Sequence, residues 1–140
     1  MRTCGVLLVL AGALVLHGCA ATGSAFHLRT PVPNTALVYV YRPPASFAGA
    51  RSPTLVDNDQ RIGDIRNGQF IDFDLQPGHH LTRTDTEMVD RPLEMDVEVG
   101  YVYYLRAGIR AGMWTSTWFL SRVYPEEAQP EIASCCKRGD

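Results

Sequence analysis

Between Leu93 and Val99 apolar and acidic residues alternate without exception, Leu93, Met95, Val97 and Val99 against Glu94, Asp96 and Glu98. Successive strand residues point to opposite faces, so the pattern suits a β-strand with one dry and one wet side and does not suit a helix. The chain around it repeats the theme in short runs separated by turn residues. Residues 36–42 are β-branched and aromatic and stop at Pro43-Pro44, which predicts a strand buried on both faces. Residues 54–56 and 60–65 flank Asp57-Asn58-Asp59, whose side chains tolerate left-handed backbone and suit a hairpin. Asn67-Gly68 signals a second hairpin, and Ile71, Phe73 and Leu75 then alternate with Asp72 and Asp74, a strand with a solvated acidic face. Gln76-Pro77-Gly78 fits a type II turn leading into a more polar strand at 80–86.

The next strand, 103–109, can be registered against 93–99 by asking which turn keeps like faces together. A two-residue turn at Gly100-Tyr101 sets Met95 opposite Arg106; a three-residue loop through Val102 sets Val97 opposite Leu105 and Asp96 opposite Arg106, and is the one expected. Residues 112–123 read as the last strand, with Trp114 and Trp118 on one face. Pro125-Glu126-Glu127-Ala128 looks like a helix start, and Pro130 limits or kinks that helix. Short strands at this spacing predict an all-β fold, an antiparallel sandwich of about seven to eight strands over 36–124, followed by a short helix and tail over 125–140.

Ahead of the strands stands a different kind of segment. Met1-Arg2 is followed by an apolar run from Val6 to Leu16, too short for the ~20 residues of a membrane-spanning helix but suited to a signal-peptide core. Leu16-His17-Gly18-Cys19 resembles the lipobox of bacterial lipoproteins, departing from it at His17, where that family prefers a small or β-branched residue. The resemblance implies removal of the signal helix 1–18, a diacylglycerol thioether on Cys19, and an acyl chain such as palmitate on its amine. With Ala20 rather than aspartate next, it also implies an outer-membrane address facing the periplasm. An ordinary secretory signal cut near Ala20-Ala21 is the alternative. Residues 19–35, small, polar and interrupted by Pro31 and Pro33, read as a flexible tether.

Loss of 18 residues leaves 122 of the 140, enough for one domain with a core. Loss of Arg2 takes the formal charge from −2 to −3, which argues against nucleic acid or an anionic surface as an electrostatic partner. Cys4 leaves with the leader and lipid consumes the thiol of Cys19, so Cys135 and Cys136 remain. Adjacent Cα atoms lie about 3.8 Å apart, below the usual disulfide span of about 4.4 to 6.8 Å. A vicinal disulfide, intermolecular bridges, pairing with another protein, and a mobile tail pair without a dedicated role all stay open. The spacing fits neither a CxxC redox pair nor a zinc site.

The domain resembles the lipoprotein family built on domain of unknown function 2846. The resemblance is carried by residues 36–43, Val56-Asp57 with Ile62-Gly63, Asn67-Gly68-Gln69-Phe70, residues 75–80 and residues 100–106. The proline-glycine turn followed by histidine is also similar to small transthyretin-like modules. Both likenesses imply fold and address and transfer no catalytic residue.

Constellations that could carry chemistry are few. His79-His80 invites a metal, but neighbouring strand residues point to opposite faces. Asp57-Asn58-Asp59 begins like a calcium loop, yet Arg61 and Ile62 stand where an oxygen ligand and glycine belong. Asp72, Asp74, Glu94, Asp96 and Glu98 form stripes rather than a catalytic pair. Tyr104, Trp114 and Trp118 are the candidate binding surface for a protein or glycan, against the plainer reading of such rings as core. Arg138-Gly139-Asp140 matches an adhesion tripeptide by chance. The expectation is a membrane-anchored envelope lipoprotein with a non-catalytic binding or structural domain and neither cofactor nor metal. The alternatives are an envelope enzyme with a scattered site, or a redox role for Cys135 and Cys136.

Overall fold

The computed structural model describes residues 23–86 and 91–139. Leu16, His17, Gly18 and Cys19, and with them the expected signal helix and lipidation site, lie outside the described residues. In chain order the elements are β1 (Ala36–Arg42), β2 (Thr54–Asp57), β3 (Gln60–Asp64), β4 (Gln69–Leu75), β5 (Gly78–Asp85), β6 (Leu93–Val97), β7 (Val102–Ala111), β8 (Ser116–Val123), α1 (Pro125–Cys135) and β9 (Lys137–Arg138).

Every residue of β1 is buried, as its apolar run predicts. The strand's alternation feeds two cores. Ala36, Val38 and Val40 meet Leu55, Ile65, Met95, Val97 and Leu105 in one cluster. Leu37, Tyr39 and Tyr41 meet Phe70, Tyr104, Ala128 and Ile132 in the other. The first cluster lies between two sheets, of order β8-β7-β1-β4-β9 and β3-β2-β5-β6. The second sheet is antiparallel throughout, whereas in the first β1 runs parallel to β7, and β4 parallel to β9. The molecule is thus an all-β sandwich whose larger sheet is also covered on its outer face.

That cover comes from the two segments read as accessory. Phe26, from the expected tether, packs edge-on against Tyr39 and Phe70 at 5.2 and 5.6 Å. At the other terminus, Pro125 sits in the first helical turn, where its missing N–H is not needed, with Glu126 and Glu127 complementing the helix dipole. α1 carries through Pro130 to Cys135 and buries Ala128 and Ile132, which lie four residues apart on one face. The described part of the tail beyond is hydrogen-bonded to the larger sheet: the Lys137 N–H donates to the Gly68 carbonyl at 3.0 Å, and that of Gly139 to the Phe70 carbonyl at 2.8 Å.

Several expected strand pairings are corrected. Asn58 and Asp59, at φ 44° and 65°, do join β2 to β3 as a hairpin. Asn67-Gly68 and Gln76-Pro77-Gly78 instead carry the chain from one sheet to the other, with Gly68 at φ 69° and Gly78 at φ 138°. The register expected between residues 93–99 and 103–109 does not form. Val97 pairs with Gly78 of β5, and Leu105 with Val40 of β1. Met95, Val97 and Leu105 still share one interior, because packing face to face across the sandwich satisfies their alternation as well as edge pairing would. The last long strand begins at Ser116 rather than 112, and Gly112 to Thr115 form a hairpin tip in which the Gly112 N–H donates to the Thr115 carbonyl at 2.7 Å.

Candidate functional site

The three aromatic residues weighed between a binding surface and the core are separated by the fold. Tyr104 is 1% exposed and Trp118 3%, whereas Trp114 is 91% exposed at the hairpin tip. Tyr104 stacks on Tyr39 at 5.5 Å with ring planes 9° apart, and its hydroxyl accepts from Gln129 at 2.9 Å. Burial raises the pKa of both phenols. Tyr41, also raised by burial and by its hydrogen bond, donates to Glu131 at 2.6 Å, and Glu131 in turn pairs with Arg106 at 2.8 Å. These rings are core, their polar tips satisfied by α1 and by the N-terminal segment.

Trp118 is the floor of an open cleft of about 510 Å³ at the end of the sandwich where β1 and β5 finish and β2 and β8 begin. Arg51, Thr54, Asp85, Thr86 and Ser116 supply its polar rim. Behind the floor, the Arg42 guanidinium lies 4.7 Å over the Trp118 ring and is 2% exposed. It donates to the carbonyls of Ala48, Ile65 and Arg51, and burial lowers its pKa. Ala48 is held at φ 54°, a strained conformation for a residue with a Cβ, with its carbonyl turned to that guanidinium. Arg42 therefore shapes the loop of residues 43–53 and one wall of the cleft. In sequence Arg42 is marked only as the last strand residue before Pro43-Pro44, and its role as a buried donor to three carbonyls emerges from the fold.

At the far end of the smaller sheet, β5 turns His80, Thr82 and Thr84 inward. His80 Nδ1 lies 2.6 Å from Asp57 Oδ2 and its Nε2 lies 2.9 Å from the Gln76 carbonyl, while Thr82 donates to Asp57 Oδ1 at 2.8 Å. His79 points the other way, exposed, with Nδ1 3.1 Å from Asp96. The two rings lie on opposite faces, as strand geometry predicts. The alternation of His80, Thr82 and Thr84 is itself a sequence signal for a polar buried face.

The acidic face of β4 is not solvated as expected. Asp72 is 2% exposed in its side chain and pairs with Arg29 and, at 3.0 Å, with Arg138. Arg29 also pairs with Asp74 at 2.8 Å. Arg29 is the one arginine of the expected tether, and the counter-charge that the stripe requires. Nearby, Cys135 and Cys136 are joined as a vicinal disulfide between α1 and β9. Cys136 is 2% exposed within the second core cluster, so this pair is part of the packed C-terminal clasp.

The model of the family described as protein of unknown function (DUF2846) matches residues 33–118. An uncharacterized protein of Haemophilus influenzae is 27% identical over 130 residues, covering 86% of this chain and 76% of that protein. No solved structure matches the chain. The matched residues run from just ahead of β1 to Trp118 in the cleft floor, and on that match the chain belongs to the DUF2846 family.

Proposed function

We propose that the protein is an envelope lipoprotein, acylated at Cys19 and held at the outer membrane facing the periplasm, whose sandwich is a non-catalytic binding or structural module. The observation that carries the non-catalytic part is the state of His80. Both of its ring nitrogens are engaged by oxygens within the fold, so neither is turned to a substrate. The cleft over Trp118 is wide and has a mixed polar rim, which suits recognition of a partner or glycan better than enclosure of a reacting group. The anchor rests on Leu16-His17-Gly18-Cys19 after an apolar run of signal-peptide length. Several acyl chains on one cysteine would hold the domain stably, since one alone binds only marginally. Intact mass and membrane fractionation of the wild type beside Cys19→Ser, expressed in a Gram-negative host, test it. Acyl mass and outer-membrane sedimentation lost in the variant are expected; a soluble, unacylated wild type refutes the anchor.

A further inference from the structure

We infer that the end of the sandwich carrying the β7–β8 hairpin tip is turned to the bilayer, with Met113 and Trp114 seated among the lipid headgroups. The inference rests on acylation at Cys19 as proposed above. Three observations lead to it.

The first is the tip. Met113 and Trp114 are adjacent and 90% and 91% exposed, so neither contributes to the fold by burial. Isolated exposed apolar residues are ordinary, but a tryptophan beside a methionine at the point of a hairpin is costly in water and favourable at a membrane interface.

The second is projection. β1 pairs with β7 as far as Tyr41 against Arg106 and ends at Arg42, whereas β7 and β8 continue to Ala111 against Ser116. The four residues from Gly108 to Ala111 carry the hairpin about 13 Å past the end of β1, at ~3.3 Å per residue. Phe47, 59% exposed, lies in the loop leaving that same end.

The third is where the chain enters. The Ser24 carbonyl accepts from the Arg138 N–H at 2.8 Å, and β9 pairs with Gln69 and Phe70, which lie opposite Arg42 and Tyr41. The packed domain therefore begins at the end that bears the tip. Cys19 precedes Gly23 by four residues, a reach of at most ~14 Å. The exposed Val32, Val99 and Tyr101 belong to the opposite end, a further ~23 Å away along the seven residues of β1. A leash this short keeps the tip end against the membrane and the other end away from it. Arg51, Arg66, Arg110 and Lys137 share the tip end with Asp64 and Asp85, so a small cationic excess accompanies the apolar contact of Met113 and Trp114 there.

The test uses the acylated full chain, its acyl mass verified, in vesicles of phosphatidylethanolamine with phosphatidylglycerol. The protein has two tryptophans, so Trp118→Phe leaves Trp114 as the reporter. The difference between wild type and Trp114→Phe gives the same reading should that background fold poorly. On reconstitution Trp114 emission should shift to the blue, iodide quenching should fall several-fold, and nitroxide-labelled lipid should quench it. An acylated, vesicle-bound chain whose Trp114 stays fully open to iodide overturns the orientation and leaves the anchor standing. Shielding from iodide without quenching by nitroxide lipid means that a protein surface or a second copy covers the tip, and also overturns it. Absence of acyl mass removes the anchor and the orientation together.

Discussion

Arg29 donates through Nη2 to Asp74 at 2.8 Å, a contact that joins the N-terminal segment to β4 across 45 positions of sequence. The same guanidinium reaches Asp72, buried on the same face of the strand. Arg29→Ala is expected to cost about 1–3 kcal/mol, less than the full loss of a buried pair because Arg138 still faces Asp72. Urea unfolding measures it.

The same contact sets a pH dependence. Its hydrogen bond from Arg29, helped by the Val32 N–H and the Thr35 hydroxyl, holds the Asp74 carboxyl below its ordinary range. The unfolded chain then binds the proton first, so the added stability is present above the unfolded value near ~4 and is lost as pH falls through the lower folded value. The stability gap between wild type and Arg29→Ala should therefore narrow between neutral pH and about pH 3. A gap independent of pH contradicts the assignment.

Asp57 satisfies His80 and Thr82 together in a site closed to water. Asp57→Ala is expected to destabilise the sandwich by about 2–4 kcal/mol, because it orphans two buried polar groups, and Thr82→Val by about 1. Thermal and urea unfolding of the two variants should rank them in that order.

Arg42 holds three loop carbonyls and a tryptophan face at once, a fan of donors that lysine cannot reproduce. Arg42→Lys should cost about 2–4 kcal/mol through buried carbonyls left without a donor. It should also speed hydrogen exchange at the Arg51 amide, which bonds the Ala48 carbonyl at 3.1 Å, more than at β6. Equal acceleration at both places argues against a local role.

The Cys135–Cys136 disulfide closes the shortest loop a chain can make. A cross-link restricts the unfolded chain less the shorter its loop, so reduction is expected to change stability by less than about 1 kcal/mol. A larger loss on reduction, followed by thermal unfolding, means that the bridge itself holds β9 on β4.

What could be read without coordinates was whatever one strand or one turn decides alone. The alternation from Leu93 to Val97, the two-faced burial of β1, the left-handed hairpin at Asn58-Asp59 and the start of α1 at Pro125 all follow from local backbone preference and side-chain direction. Harder to read were Asp72, which looks in sequence like a solvated acid, and Trp118, which the sequence leaves open between core and surface. Their burial depends on Arg29 and Arg42, residues 43 and 76 positions away.

Sequence by itself determined the strand content, the apolar face of each strand, and the family-bearing segments between residues 33 and 118. Only tertiary structure decided that β6 pairs with β5 and β7 with β1, that the expected tether and tail cover the larger sheet, and that Tyr104 and Trp118 turn inward while Trp114 stays out. The physical reason is that alternation states which side of a strand must be dry, whereas the surface that dries it is chosen by the collapse of the whole chain.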